Sequence, residues 1–224
     1  MLAVALSVAA SAVAGVFAFQ LARQYRDRRR SHALAWALSL ALFALASAAA
    51  AMGMGVGWSP AVFWVYWLAG ALLTVPLLAV GQMLLMDPDR AVVYWTLGGL
   101  AVVWALSAAV LSTLDVAVLE AAGEARSIPL GEQALGGQLA YGLLRWTNYT
   151  AVIVIVGTVW SAITSRRPTI LLIALGVVAA GASFAFIRSG QPSLFSATLA
   201  AGVGLMYVGF RAASKPSNAR GAEG

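Results

Sequence analysis

Residues 33–57 read ALAWALSLALFALASAAAAMGMGVG and contain no charged side chain at any of 25 consecutive positions. The hydrocarbon core of a bilayer is about 30 Å thick, so about 20 apolar residues in a helix are enough to cross it. The stretch is dominated by Leu and Ala, and it shows no alternation of apolar and polar residues as a strand of a membrane barrel would. It therefore predicts a membrane-spanning helix.

Uncharged stretches of similar length recur along the chain. There are seven, at residues 2–22, 33–57, 61–86, 91–114, 146–165, 168–187 and 189–210. Charged residues, proline or glycine separate them, as helix ends require. The sequence thus predicts an all-α fold, a bundle of seven transmembrane helices.

The composition of the whole chain fits this class. Of its 224 residues, 62% are hydrophobic and 10% are charged, with a mean hydropathy of +0.87. Soluble domains carry about 25% charged residues. A soluble globular domain, a disordered chain and a nucleic-acid-binding domain are therefore excluded, although the sequence pI is about 10.3.

Few residues of the chain are suited to catalysis or metal binding. The chain has no Cys and a single His, His32, and none of the seven apolar cores contains Asp, Glu, Lys or His. Thiolate nucleophiles, Cys-ligated metals and proton relays through buried carboxylates are thus excluded or disfavoured. We expect no catalytic residue, no metal and no cofactor, and hence no enzymatic activity.

Basic residues are distributed unevenly between the two sides of the predicted bundle. Those on the richer side are Arg23, Arg26, Arg28, Arg29, Arg30, Arg90, Arg166, Arg167, Arg211, Lys215 and Arg220. With its acidic residues this side has a net charge of +7, and the other side has −1, which together give the +6 of the chain. Cytoplasmic loops retain Lys and Arg. We therefore expect a multi-pass protein of the plasma (inner) membrane, with its N-terminus outside and its C-terminus in the cytoplasm.

Three segments leave alternatives open. Residues 2–22 are predicted to be a retained helix, because basic residues follow the apolar run and none precedes it; the alternative is a cleaved signal peptide. Residues 113–120 either extend the fourth helix or lie along the surface. The outer loop, residues 115–137, either covers a site or only joins distant helix ends. The tail, residues 214–224, is predicted to be disordered and cytoplasmic.

Spacing along the chain indicates an internal repeat. The equivalent residues are Arg30 and Arg167, Gly53 and Gly190, Phe63 and Phe195, and Gly70 and Gly202. The distance from Arg to the first Gly is 23 residues in both halves, and the second Gly follows Phe by seven. We divide the membrane domain, residues 1–213, into repeat one (1–86), a linker helix (91–114), the outer loop (115–137) and repeat two (138–211). The two repeats are predicted to run parallel.

A three-plus-one-plus-three arrangement of this kind resembles the group that includes SWEET-type sugar carriers, PQ-loop proteins and opsin-like seven-helix receptors. The helices also resemble those of uncharacterised seven-helix proteins that are common in high-GC bacteria. The Pro-Gln signature of PQ-loop proteins is absent, and only the reversed Gln191-Pro192 occurs. The middle of the last segment, residues 200–204, reads AAGVG and lacks the Lys that a retinal Schiff base requires.

One polar stripe marks a candidate ligand site. Near the start of the fifth segment, the spacing i, i+3, i+7 and i+10 places on one helix face Gln138, Tyr141, Arg145 and Asn148. Its predicted neighbours are Tyr149 and, on the third segment, Trp67, Thr74 and Gln82. An Arg among amides and aromatic rings suits a carboxylate, phosphate or polyol. The alternative is that Arg145 snorkels to lipid headgroups while the amides join helices.

Three functions fit these features. The first is a ligand-binding or sensory protein that acts through a separate partner. The second is an uncoupled, SWEET-like facilitator of a small polar solute, and the third is a structural or accessory subunit of a larger membrane complex. The expected partners are the lipid bilayer, with anionic headgroups at Arg28, Arg29 and Arg30, and another membrane protein or a second copy of the chain. No nucleic-acid partner is expected, and the ligand is not identified by the sequence.

Overall fold

A computed structural model describes residues 1–136, 138–166 and 170–214, without the side chains of Arg145, Asn148, Phe184, Ala213 and Ser214. Within these residues the chain is helical and has no strand. Seven of its helices are long and apolar enough to cross a membrane, which confirms the predicted number. Of the predicted tail, residues 214–224, the first residue, Ser214, is the last residue of a helix, and the other ten lie outside the described residues.

The long helices are separated by short turns except after the fourth. Their bounds are α1 (Leu2–Arg28), α2 (Ser31–Gly55), α3 (Pro60–Met86) and α4 (Ala91–Val110, after the 3-10 turn Pro88–Arg90). Two short helices, α5 (Val116–Glu124) and α6 (Gly131–Leu135), then precede α7 (Leu139–Ser165), α8 (Leu171–Arg188) and α9 (Pro192–Ser214). We call the end of the bundle that carries α5 and α6 the loop end, and the opposite end the arginine end.

Six long helices form a ring around a common axis. Each packs on two neighbours in the order α1, α2, α3, α7, α8 and α9, and α9 packs on α1 again. Helix α4 lies outside this ring, against α3 and α7, and exposes apolar side chains such as Val103 and Trp104. The exposed apolar surface of α4 is what a lipid-facing helix requires, because lipid chains solvate such side chains as well as protein does.

Small residues set the close contact between α8 and α9. Gly176 of α8 and Gly202 of α9 face each other, and each lies against the carbonyl oxygen of the other. A methyl group at Gly202 would lie 2.7 Å from that oxygen of Gly176. Backbones approach this closely only where side chains are absent, as is typical of helix pairs in membranes.

Helix α3 is interrupted by a wide turn. Its residues Tyr66–Leu73 are π-helical, between α-helical parts Pro60–Val65 and Thr74–Met86. Pro76 follows, and a proline removes one backbone donor and crowds the carbonyl four residues before it. The Thr74 hydroxyl donates to the Ala69 carbonyl (2.7 Å), and Ser39 of α2 donates to the Thr74 carbonyl (2.6 Å). These side chains add hydrogen bonds to backbone oxygens in and next to the π-helical part.

Residues 113–120 do not extend the fourth helix. Helix α4 ends at Val110, and after an irregular stretch the separate helix α5 begins at Val116. Asp115 caps α5, since its carboxylate accepts from the backbone N–H of Ala117 (3.0 Å). Helix α5 packs on α2 and α3 and so covers part of the loop end.

Candidate ligand-binding site

A cleft of about 530 Å³ opens at the loop end. One wall is the face of α5 that carries Ala117, Val118, Ala121 and Ala122, and the roof is the segment 127–130 with Gln133. The opposite wall is the turn between α8 and α9, with Ile187, Arg188, Gly190 and Pro192. Its volume lies within the range of about 300–1,000 Å³ that is usual for small-molecule sites.

Trp58 holds the roof of this cleft on the bundle. Its indole N–H donates to the carbonyl oxygen of Ser127 (2.8 Å), and its ring, only 7% exposed, lies across Gly53. The same ring meets Tyr66 edge to face, with centroids 5.5 Å apart. The roof is thereby attached to α2 and α3 by one buried aromatic side chain.

Polar and aromatic side chains connect the rim of the cleft to α3. Arg188 lies 4.0 Å from the Glu132 carboxylate, which also accepts from the Tyr141 hydroxyl (3.5 Å). Tyr141 stacks on Trp67, with centroids 6.3 Å apart. Trp67 packs under Gly131, at the start of α6, and lies within the π-helical part of α3. A displacement of α6 would therefore be transmitted to α3 through Trp67.

Of the predicted site residues, Trp67, Tyr141 and Gln138 lie close to this region. Trp67 is buried, and its indole N–H donates to the Ala140 carbonyl (3.4 Å). Gln138 precedes α7, and its side-chain amide makes two hydrogen bonds with Thr113. The amide oxygen accepts from the Thr113 backbone N–H (2.6 Å), and the amide nitrogen donates to the Thr113 hydroxyl (2.7 Å). Gln138 thus ties α7 to the chain that follows α4.

The other predicted residues are spread along the bundle. Tyr149 is 67% exposed and meets Trp146 edge to face. Thr74 is buried and bonds its own helix, and Gln82 lies near the arginine end, where its amide donates to Ser161 (3.4 Å). Arg145 and Asn148 belong to α7, but their side chains lie outside the described part of the chain. The described side chains of the set do not converge on one pocket.

Gln82 lines a second, much smaller cavity on the axis of the ring. This cavity measures about 30 Å³ and is bounded by side chains from all six ring helices. Its walls are formed by Phe17, Leu21, Trp36, Leu40, Leu78, Gln82, Val154, Ile173, Met206 and Phe210. The volume is enough for one or two water molecules, but a buried water needs two to four polar partners, and the lining supplies one amide side chain among apolar ones.

The loop-end cleft was not predicted from the sequence. Its polar lining residues, Arg188, Gln133 and Ser127, come from distant parts of the chain. The available signal was the length of the 115–137 loop, because long loops often cover sites. Within the described residues no three His, Cys, Asp or Glu side chains could hold a metal ion.

The chain matches no protein-family model, no curated protein and no solved structure.

Proposed function

We propose that this chain is a non-enzymatic, seven-helix membrane protein that binds a small ligand in the loop-end cleft and acts as a sensor. The observation that carries the proposal is the cleft itself, about 530 Å³ between α5, the segment 127–133 and the α8–α9 turn. The contacts of Gly131 and Glu132 with Trp67 and Tyr141 support a sensory role. They give bound ligand a route to α3, from which a partner membrane protein would receive the signal.

The membrane placement that we propose follows from charge. Lys and Arg are retained on the cytoplasmic side, so the arginine end faces the cytoplasm and the loop end faces outward, across the plasma (inner) membrane. A ligand would then reach the cleft from outside. Arg28, Arg29 and Arg30 contact anionic headgroups at the inner surface, each contributing about 1 kcal/mol of attraction.

Filling the cleft provides the test of this proposal. Ala121 lines the cleft, so the indole ring of Ala121→Trp is expected to occupy the volume that a ligand needs. The control, Ala125→Trp, adds the same ring at an exposed position of the same loop, and Ala125 does not line the cleft. A library of small polar and amphipathic compounds is screened for thermal stabilisation of the three proteins in nanodiscs. At 100 times its Kd, a ligand stabilises by about 2.7 kcal/mol.

Ligands of the cleft should stabilise the unmodified protein and Ala125→Trp but not Ala121→Trp. Compounds that stabilise all three proteins equally bind elsewhere or act through the bilayer. If no compound distinguishes Ala121→Trp from Ala125→Trp, the cleft is not a ligand site and the proposal fails.

An uncoupled facilitator is the second candidate, and evidence for the internal repeat favours it. Equivalent residues of the two proposed repeats are 137 positions apart in the first two helices of each repeat, and 132 positions apart in the third helix. The ring order supports this pairing, because it is unchanged when α1, α2 and α3 are exchanged with α7, α8 and α9. Arg29 and Arg166, which are equivalent, both end their helices in the left-handed conformation, with φ of 52°.

The axial cavity supports the same pairing. Six of its lining residues form three equivalent pairs, namely Phe17 with Val154, Trp36 with Ile173, and Leu78 with Phe210. Such a cavity is where two parallel repeats would enclose a solute path in its closed state. Solute flux into proteoliposomes without a proton or sodium gradient would favour the facilitator; a cleft ligand without flux would favour the sensor.

A further inference from the structure

The loop-end cleft has one charged group in a mostly apolar lining. Among the described residues that line it, only Arg188 carries a charge. The acidic residues of α5, Glu120 and Glu124, are exposed and do not line the cleft, and the α5 wall consists of alanine and valine. A ligand that fits this lining has an apolar body and one anionic end.

The guanidinium of Arg188 is free to exchange its partner. Its contact with Glu132 is long, 4.0 Å, and both side chains are about 70% exposed, at 72% and 69%. Exposed pairs of this kind contribute little stability, so a ligand anion can replace Glu132 at small cost. Arginine also presents paired N–H donors that match the two oxygens of a carboxylate.

Helix α8 ends at Arg188, and the carbonyl end of a helix disfavours anions. Here the last carbonyls are already used, since Ala185, Phe186 and Ile187 accept from the N–H groups of Ser189, Gln191 and Gly190. Helix α9 begins at Pro192, in the same wall, and contributes the opposite partial charge. The rim around Arg188 is therefore compatible with an anion.

We propose that the cleft binds an amphipathic monocarboxylate, with its carboxylate on Arg188 and its short hydrocarbon body between α5 and the segment 127–130. This inference rests on the proposed ligand-binding function of the same cleft and specifies the class of its ligand. When the carboxylate binds, Glu132 loses its pairing with Arg188 and remains bonded to Tyr141, which stacks on Trp67. The anionic end of the ligand thus acts on the contact that leads to α3.

The test compares three probes with the same hydrocarbon chain: octanoate, octanol and octylamine. Saturable binding of each radiolabelled probe is measured on the full chain in phosphatidylcholine nanodiscs, after subtraction of partitioning into empty nanodiscs. Octanoate is expected to bind about two- to fivefold more tightly than octanol, because an ion pair with an exposed arginine contributes up to about 1 kcal/mol. Octylamine is expected to bind most weakly.

Variants of Arg188 identify the group that is responsible. Arg188→Ala should weaken octanoate binding about two- to fivefold and leave octanol binding unchanged. Arg188→Lys should restore octanoate binding only in part, and Arg188→Glu should reverse the preference toward octylamine. Arg126→Ala, which removes another exposed arginine of the loop outside the cleft, should have no effect. Ala121→Trp should abolish binding of all three probes.

Two results would overturn the inference. If octanol binds as tightly as octanoate, or if Arg188→Ala does not change octanoate binding, the ligand is not a carboxylate that pairs with Arg188. The cleft would still be a ligand site if other compounds bind the unmodified protein and fail to bind Ala121→Trp. If octanoate binds Ala121→Trp unchanged, it binds outside the cleft. Failure of the proposed function itself is recognised separately, when no compound in the library screen distinguishes Ala121→Trp from Ala125→Trp.

Discussion

Replacing Gly202 by alanine is expected to destabilise the folded chain by about 1–3 kcal/mol, the usual range for adding a methyl group to a packed interface. The added carbon would lie 2.7 Å from the Gly176 carbonyl oxygen and 3.0 Å from the Ala180 nitrogen. Both atoms belong to the backbone of α8, so no side chain can rotate away to make room. Helices α8 and α9 would therefore have to separate to make room for the methyl group.

Gly204 provides the matched control, because it lies one half-turn further along α9 with open space around it. Gly204→Ala should leave stability unchanged or raise it by up to about 1 kcal/mol, since alanine favours the helix more than glycine does. Unfolding of both variants is followed in nanodiscs by heat and denaturant. Equal tolerance of alanine at the two positions would show that α8 and α9 do not pack through Gly176 and Gly202.

The number of long helices is predictable from the sequence, because apolar length is a local property of each segment. The residues at which these helices end are less predictable. Residues 111–114 are uncharged and belong to the fourth segment that the sequence predicts, yet α4 ends at Val110. The reason is a long-range contact with the start of α7. The Ser112 hydroxyl accepts from the Ala140 N–H, and Thr113 is hydrogen-bonded to the Gln138 side chain. Helix α7 begins at Leu139, beside these bonds and next to the predicted start of repeat two at residue 138.

The candidate site was less accessible to sequence reasoning, because it depends on which distant segments meet. A helical-wheel argument groups residues on one helix, and it singled out Tyr141, which does stack on Trp67 of α3. It cannot show that Arg188 faces α5 across the cleft, since nearly 70 residues separate them in the chain. Trp58 illustrates the same limit: at a segment end it is typical of a membrane interface, but α5 and the roof bury it.

Trp58→Ala is expected to have the largest single effect on the roof of the cleft, and to cost about 3–5 kcal/mol of stability, as for other buried tryptophans. The change removes the hydrogen bond to the Ser127 carbonyl, the packing on Gly53 and the ring contact with Tyr66. Trp58→Phe keeps an aromatic ring and loses the hydrogen bond, which contributes about 0.5–1.5 kcal/mol. Trp160→Ala, at a ring that is 61% exposed, should be nearly neutral.

Because the chain has no cysteine, one added thiol can report on the roof. Ile128 lies in the roof and is 5% exposed, whereas Ala125 is exposed in the same loop. With Trp58 intact, Ile128→Cys should react with a maleimide at least about tenfold more slowly than Ala125→Cys, since each 1.4 kcal/mol of opening free energy slows access tenfold. Adding Trp58→Ala should bring the two rates together, and Trp58→Phe should give an intermediate rate. If Ile128→Cys stays protected in Trp58→Ala, another contact holds the roof, and the connection between cleft and bundle runs through Gly131 and Trp67 instead.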